Sequence, residues 1–374
     1  MPAPLQRPDT DDLLSLLLTD VPLLDTRAPA EFARGSFPHA VNLPLMNDAE
    51  RSAVGTCYKQ HGQEAAIKLG HRLVQGVSKQ QRISGWLEFA RQYPDGYLFC
   101  FRGGLRSQIC QQWMREAGAP YPRIVGGYKA MRRLLLDALD TICTSANLIV
   151  VGGQTGCAKT ELLRTVPGSI DLEELAHHRG SAFGRRADAQ PSQIDFDNAL
   201  AIALLRHQQQ SHQQKRLPLV VEDESRLIGC CALPPPLQTA MKQAPMVVVE
   251  LDIDARVEHT FNNYILHKLT EWRSACGETQ GFARFADDLR QSLNNIRKRL
   301  GGARHQQLDT LLEHALREHQ RGDSSSHRAW IRPLLEDYYD PMYDYQLERK
   351  ADRVLFRGNR AQVRDFLLTR IMSQ

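Results

Sequence analysis

The chain has 374 residues, 42% of them hydrophobic and 24% charged, with a net charge of +4. That length is a prior for two or three domains, each able to bury a core, and the composition is that of an ordinary soluble protein. No apolar run approaches the roughly 20 residues of a membrane span, and the opening MPAPLQRPDTDD lacks a basic-then-apolar signal pattern, so a cytoplasmic protein without membrane contact is expected. The eight cysteines form no C-x-x-C pair and no zinc-like grouping with the histidines. Free thiols are expected, with neither a structural metal nor a disulfide scaffold. Charge is uneven along the chain. Residues 1–50 carry three basic and eight acidic side chains, whereas 290–304 hold five basic residues and no carboxylate, and 349–370 hold seven basic residues against Asp352 and Asp365. The C-terminal third is therefore the candidate surface for a polyanion, the alternative being a solvated helix face.

Taken in order, the elements fall into three regions. DTDDLLSLLL predicts a helix, VPLLDTR a short buried strand ending in Asp25, Thr26 and Arg27, and HAVNLPL a second short strand. Helices are predicted over about 57–92, then YLFC as a strand, RSQICQQWMREAG as a helix, RIVGG as a strand and YKAMRRLLLDAL as a helix. Strands alternating with helices imply parallel βαβ units, and hence an α/β class. DTICTSAN, residues 140–147, is a polar break and the predicted boundary; NLIVVGG then opens a second α/β region. Residues 259–345 carry no strand signal and are predicted helical, and ADRVLFRGNRAQVRDFLLTRI predicts one more strand and helix, returning to the second sheet. No internal repeat or low-complexity tract is apparent.

VVGGQTGCAKTELL matches the phosphate-binding pattern G-x-x-x-x-G-K-[ST] except that Ala158 replaces the last glycine. It follows a β-branched strand and precedes a helical run, the context the motif requires. In such a loop the amides of Gly153, Thr155, Gly156, Cys157 and Ala158 wrap a phosphate, the helix N-terminus adds positive potential, Lys159 reaches the outer oxygens and Thr160 can hold Mg²⁺. Ala158 is accommodated if it has a negative φ at the helix start, leaving any left-handed turn to Gly156. Cys157 reads as a small filler, and a fortuitous glycine-rich turn is the alternative to the whole motif. RLPLVVEDESR places Glu222, Asp223 and Glu224 at the end of an apolar strand, where ligands bind in open α/β sheets. A strand merely leaving for solvent is the other reading. HHRGSAFG, with Arg179, reads as a phosphate or substrate contact, or equally as a capped turn.

CFRGGLRSQIC puts Cys100 at the end of a strand and the mouth of a loop leading into a helix. There the loop amides, the helix N-terminus, Arg102 and Arg106 favour a thiolate, nucleophilic at neutral pH. The spacing C-x5-R-S is similar to two kinds of anion loop. Protein phosphatases use C-x5-R-[ST], usually with a histidine before the cysteine, where this chain has Phe99. Rhodanese sulfurtransferases use a cysteine loop that often ends in Arg-Ser one residue sooner. The upstream stretch LLDTRAPAEFARGSFPHAVNLPL resembles the rhodanese pattern at Asp25, Arg27, Glu31, Phe32, Gly35, His39, Ala40, Asn42 and Pro44, with Ser36, Phe37 and Pro38 inserted. A phosphatase and an inert buried cysteine are the lesser alternatives. The extra loop residue gives a wider ring of donors, able to hold a tetrahedral oxyanion or a chalcogen larger than sulfur.

A rhodanese-like domain followed by a phosphate-loop domain, together with GGYKAMRR, HHRGSAFG, ELDIDARVEHTFNNYI and YYDPMYDYQ, resembles the tRNA 2-selenouridine synthase family over nearly the whole chain. Ala158 for glycine and His177 for asparagine depart from the family pattern. The resemblance implies a rhodanese domain over 1–140, a phosphate-loop domain over 145–258, a helical, tRNA-binding region over 259–345 and a strand-helix return over 346–374. It implies that wobble 2-thiouridine is first geranylated on sulfur by geranyl diphosphate and then exchanged to 2-selenouridine with selenophosphate, without a tightly bound cofactor. Cys100 would carry selenium as S-selanylcysteine, stabilised by Arg102 and Arg106. The phosphate loop, with Arg179, Glu222 and Asp223, would take a phosphorylated donor. Arg297, Lys298, Arg299 and Arg304 would meet tRNA phosphates, and Tyr338, Tyr339, Tyr343 and Tyr345 either stack a base or pack a helix end. EHTFNNYI lines a prenyl pocket or is plain core. A rhodanese domain fused to an ATP-dependent kinase is the competing class, and a chalcogen-carrying adaptor the non-enzymatic one.

Overall fold

In the computed structural model, residues 7–213 and 217–372 are described. The chain divides into two compact units, Met1–Leu139 with Ser192–Leu205, and Asp140–Pro191 with Arg206–Gln374.

The first unit begins with α1 (Leu13–Leu18), whose first turn is capped by Asp12 accepting from the Ser15 N–H. Strand β1 (Leu23–Asp25), helix α2 (Pro29–Ala33), strand β2 (Ala40–Asn42), helices α3 (Asp48–Leu73) and α4 (Gly76–Gln92), strand β3 (Tyr97–Phe99) and helices α5 (Leu105–Glu116) and α6 (Gly127–Ser145) follow. The strands form a parallel sheet in the order β2-β1-β3. Leu24, Leu98 and Phe99 are wholly buried in it, and Trp86, Phe89, Trp113 and Met114 pack one side. RIVGG forms no strand: Arg123 and Ile124 make only isolated bridges, to Leu98 and Thr10. The two glycines explain why, since Gly126 and Gly127 both have positive φ and turn the chain directly into α6. The boundary expected at 140–147 coincides with the division between the units, the second beginning at Asp140, but it falls inside a helix. Helix α6 continues to Ser145, with Ile142 and Cys143 buried among the polar residues of that run.

The second unit opens with β4 (Leu148–Gly152), then α7 (Lys159–Leu163), β5 (Ser169–Ile170), α8 (Leu172–Leu175) and α9 (Gln193–Gln213). The α9 residues up to Leu205 group with the first unit instead of with residues 145–258; there Asp195 accepts from the Ser36 N–H at 2.7 Å and Asn198 donates to the Ser36 carbonyl at 2.6 Å. Next come β6 (Leu219–Glu222), the small hairpin β7 (Leu227–Ile228) and β8 (Cys231–Ala232), α10 (Pro235–Gln243) and β9 (Met246–Val249). The helices α11 (Ile253–Phe261), α12 (Lys268–Cys276), α13 (Glu278–Leu300), α14 (Gly302–Gln320), α15 (Arg328–Leu334) and α16 (Asp340–Glu348) precede β10 (Val354–Gly358) and α17 (Arg360–Met372).

The main sheet of this unit has five strands, all parallel, in the order β10-β9-β4-β6-β5. β4, β6 and β9 are buried throughout, as expected for strands covered on both faces. The chain builds β5 and β6 on one side of β4, then crosses to add β9 and β10 on the other. That reversal makes the C-terminal end of β4 the topological switch point, where ligands of open α/β sheets bind.

The helices pack around Phe285, Leu289, Trp330 and Ile331. A buried ion pair joins Lys268 to Asp288, and Lys268 Nζ also donates to the Phe183 carbonyl at 2.6 Å, fixing the end of the HHRGSAFG loop. Two π-helical turns interrupt the helices, at Asn262–His267 and Leu335–Tyr339. Such turns are frequent at functional sites. Here they carry Tyr264, Tyr338 and Tyr339.

Candidate functional site

At the switch point β4 runs into the loop 153–158. Gly153 and Gly156 have φ of 151° and 85°, and a Cβ on Gly156 would meet the Arg256 carbonyl at 2.9 Å. Ala158 departs from its expected negative φ: it is left-handed at φ 60°, ψ 39°, and buried. The glycine of the usual pattern therefore answers a backbone requirement that this chain meets with a strained alanine, at a cost of order 1–2 kcal/mol. Among the described residues, no acceptor takes the N–H groups of Thr155, Gly156, Ala158, Lys159 or Thr160. These amides, with the α7 N-terminus, form an anion cradle.

Lys159 Nζ lies over the loop, donating to the Gly153 carbonyl at 2.8 Å and 4.0 Å from Cys157 Sγ. Burial alone would lower its pKa, but the charges of Cys157, Glu173, Glu224 and Tyr343 outweigh this and hold the ammonium above its ordinary range. The loop is one wall of a cavity of about 520 Å³. Arg256 braces the loop from behind, donating to the Thr155 carbonyl at 3.0 Å and to Asp340.

The carboxylates at the end of β6 separate. Glu222 does not line the cavity. It is 2% exposed, accepts the Glu173 N–H at 2.8 Å, and has its carboxyl pushed well above the usual range by burial and by Asp171 and Glu173. Asp223 lines the cavity but is held by Lys350 at 2.5 Å. The acidic groups nearest the cradle are Glu173, 3.4 Å from Thr160 Oγ1, and Glu224. Sequence reasoning missed Glu173, whose only signal was the acidic run DLEEL ahead of HHRG. Burial and the neighbouring Glu173 charge push Glu224 up to about 8, with Lys159 opposing.

Because that folded value is raised, Glu224 is neutral below pH 8, and the stability carried by its proton is lost as pH rises through 8. The same ionisation puts a new negative charge in the cavity that Lys159 serves. Affinity for inorganic diphosphate is expected to fall about tenfold between pH 7 and 9, and Glu224→Gln to abolish that fall. Calorimetric titrations of both proteins across this range check it; parallel profiles would contradict it.

Arg179 lines the same cavity and pairs with Glu271 at 2.5 Å, while Tyr264 donates to the Arg179 carbonyl at 2.9 Å. Tyr338, Tyr339, Met342 and Tyr343 also line it, and the buried Tyr343 hydroxyl has no hydrogen-bond partner among the described residues. Tyr345 is 61% exposed and lies off it. Of the basic stretch, Arg297, Lys298, Arg299 and Arg304 are exposed, and Arg299 also lines the cavity. Arg290 instead forks onto Glu313. In the basic C-terminal segment Lys350 pairs with Asp223 and Arg353 donates to the Met241 and Ala244 carbonyls, whereas Arg349, Arg357, Arg360 and Arg364 are exposed, Arg360 pairing with Glu161.

In the first unit Cys100 follows β3 and is 3% exposed. Its sulfur faces a polar loop, with Ser107 Oγ at 3.3 Å and the Gly104 carbonyl at 3.9 Å. Among the described residues, no acceptor takes the N–H groups of Phe101 to Arg106. GGYKAMRR braces this loop: Tyr128 N–H donates to the Cys100 carbonyl and Lys129 N–H to the Phe101 carbonyl, both at 2.9 Å. A Cβ on Gly127 would meet the Cys100 carbonyl at 2.2 Å.

The two arginines do not reach the sulfur. Arg102 is exposed, and Arg106 forks onto Glu31 at 2.6 and 3.2 Å. Although burial raises the Glu31 pKa, the Arg106 bonds lead the groups that hold it below the ordinary range. Ser107, unremarked beyond its place in the motif, is the group that touches Cys100. Beneath the loop, Asp25 and Arg27 form a buried ion pair at 2.6 Å. Ser36 donates to Asp25 at 3.0 Å, Asn42 donates to the Asp25 and Arg27 carbonyls, and the Arg27 guanidinium lies 3.9 Å from the Tyr128 ring centre.

Parallel sheets and a phosphate-type loop at the switch point define an α/β protein with a phosphate-loop unit of AAA type. A family model described as the tRNA 2-selenouridine synthase AAA domain matches residues 146–374. The chain is 64% identical to a tRNA 2-selenouridine synthase of Hahella chejuensis, over 96% of this chain and 94% of that one. It is 53% identical to proteins of the same name from Pseudomonas savastanoi pv. phaseolicola, over 97% of this chain and 98% of the other, and from Bordetella petrii, over 96% of each. The chain belongs to the tRNA 2-selenouridine synthase family, a family of enzymes. No helix among the described residues is long and apolar enough to cross a membrane.

Proposed function

We propose that the chain converts wobble 2-thiouridine of tRNA to 2-selenouridine in two steps, one at each amide-lined loop. In the first, geranyl diphosphate lies with its diphosphate on the amides of residues 155–160 and Lys159, its chain against Tyr264, Met342 and Tyr343. The thiocarbonyl sulfur attacks C1 of the geranyl group, the C1–O bond breaks, diphosphate leaves and the N3 proton is lost. Lys159, the loop amides and Arg179 take up the charge growing on the leaving group. ATP hydrolysis has no part in this. Mg²⁺ would arrive with the diphosphate, held by Thr160 and Glu173. The observation that carries the reading is that amides without an acceptor among the described residues, a half-buried cation and a tyrosine- and methionine-lined wall share one cavity.

In the second step a small-molecule disulfide exchanges with Cys100, releasing one thiol; selenide freed by hydrolysis of selenophosphate to phosphate then displaces the second thiol, leaving S-selanylcysteine on Cys100. The terminal selenium bonds to C2, the C2–S bond breaks and geranylthiol leaves with a proton. Two equivalents of a thiol then open the S–Se bond and restore Cys100, departing as a disulfide. Alkylation matters because a thiocarbonyl sulfur is a poor leaving group, whereas the alkylated sulfur departs as a neutral thiol. The first unit is read as a rhodanese-type domain, supported by the Asp25–Arg27 brace beneath a cysteine loop. Ser107 and the amides of residues 101–106, in place of Arg102 and Arg106, are the groups that meet the selenium-bearing sulfur.

Arg297, Lys298, Arg299 and Arg304 are the proposed tRNA phosphate contacts. Replacing the first three by alanine is expected to weaken tRNA binding and to reduce the slope of log K against log salt by about 2. An unchanged slope would assign these charges to solvation alone. The reading as a whole is tested by supplying geranyl diphosphate without selenophosphate, which should stop 2-thiouridine tRNA at the S-geranyl nucleoside. ATP turnover in the absence of RNA would favour the kinase fusion instead.

A further inference from the structure

The first unit holds a second cavity, of about 240 Å³, that none of the chemistry above uses. Its walls are Leu45, Val54, Ile67, Leu105, Ile109 and Trp113, with Ala66 buried beside them. Only Gln63, His71 and Arg106 among its lining residues have strongly polar ends. An apolar cavity of about 150 Å³ takes up benzene, a six-carbon ligand, so one of 240 Å³ has room for an apolar chain of about ten carbons. Two of its residues, Leu105 and Arg106, belong to the loop that begins at Cys100 and to the first turn of α5.

The mouth has a different character. The adjoining surface pocket shares Met46, Val54, Tyr58 and Arg106 with the cavity and adds Arg51 and Lys59; Arg51 and Arg106 share the single carboxylate of Glu31, which leaves the lip net positive. Tyr58 is 56% exposed and Lys59 is exposed. An apolar interior beneath a cationic lip fits a ligand with an apolar chain at one end and phosphates at the other. Free fatty or terpene alcohols would gain nothing from the lip, and unmodified RNA would leave the interior empty.

We infer that this cavity seats the ten-carbon chain of S-alkylated RNA while the sulfur it carries is exchanged at Cys100. The inference rests on the two-step reading and deepens it. The donor's chain lies in the second unit during alkylation, and the chain of the alkylated product is received in the first unit, beside the cysteine loop. Binding there holds the reacting C2 by the apolar group that must leave, so selectivity for alkylated over unmodified 2-thiouridine is built into the site.

The test uses the full chain, selenophosphate and synthetic anticodon stem-loops bearing S-methyl, S-dimethylallyl, S-geranyl or S-farnesyl 2-thiouridine, without geranyl diphosphate. The kcat/KM for selenation is expected to rise at least about thirtyfold from methyl to geranyl, each buried methylene contributing, and to gain nothing further with farnesyl. Ala66→Leu, which fills the cavity, should collapse the geranyl-to-methyl ratio towards 1; Ile67→Phe serves the same purpose if the first variant melts. A geranyl preference that survives filling overturns the cavity assignment and leaves the two-step reading standing. Failure of the unaltered protein to selenate any S-alkylated RNA overturns both. A preference that still grows with farnesyl rejects a seat of this size.

Discussion

Lys159→Met is expected to slow S-geranylation of 2-thiouridine RNA by about 10²–10³, the effect of removing a preorganised charge from a growing anion. The ammonium is half-buried, is held cationic by surrounding charges that include Glu173, and donates to the Gly153 carbonyl at 2.8 Å. Methionine keeps the stem's volume but leaves Glu173 uncompensated in a cavity meant for an anion, so donor affinity should fall together with the rate. Selenation of RNA that already bears S-geranyl-2-thiouridine should remain within about twofold of the unaltered protein, because that step uses the other loop. Single-turnover kinetics on the two RNAs separate the outcomes.

Cys100→Ser is expected to abolish selenation while S-geranyl-2-thiouridine accumulates. A hydroxyl fills nearly the same space and keeps the contact to Ser107, so the loop should persist. It cannot form the selenosulfide, because its oxygen ionises far above neutral pH and makes no stable bond to selenium of this kind. Mass analysis of nucleosides after incubation with both donors should show the geranylated species as the end product. A variant that still selenates but no longer geranylates would reverse the allocation of steps between the loops.

How much of this was legible in the sequence depended on whether the determinant was local. Strand β4 turning into a glycine-rich loop and then a helix is written in contiguous residues, as are the short strands around Asp25 and Phe99. The left-handed φ of Ala158 was not legible, because the residue type argues for the opposite sign and only the loop's closure imposes it. Glu173 was hidden for a different reason: its carboxylate reaches Thr160 from the segment after β5, a neighbour created by the sheet order and not by spacing. Glu222 looked like a ligand from its place at a strand end, yet its side chain turns inward to hold the Glu173 amide. Basic residues near the C-terminus read as an open surface, and Arg349, Arg357, Arg360 and Arg364 are exposed; that Lys350 and Arg353 are taken by Asp223 and two carbonyls is what sequence cannot show. The helix through Asp140 to Ser145 shows a related limit: the polar stretch read as a boundary does mark the division between the units, but buried Ile142 and Cys143 keep it helical.

The central claim is that two separate amide cradles perform two separable steps on one base. Nucleoside mass analysis of the Lys159→Met and Cys100→Ser proteins, each given 2-thiouridine RNA and pre-geranylated RNA with both donors, tests it most directly. The account predicts that the first variant selenates only the pre-geranylated RNA and that the second stops both RNAs at S-geranyl-2-thiouridine. Loss of both steps in either folded variant would contradict it.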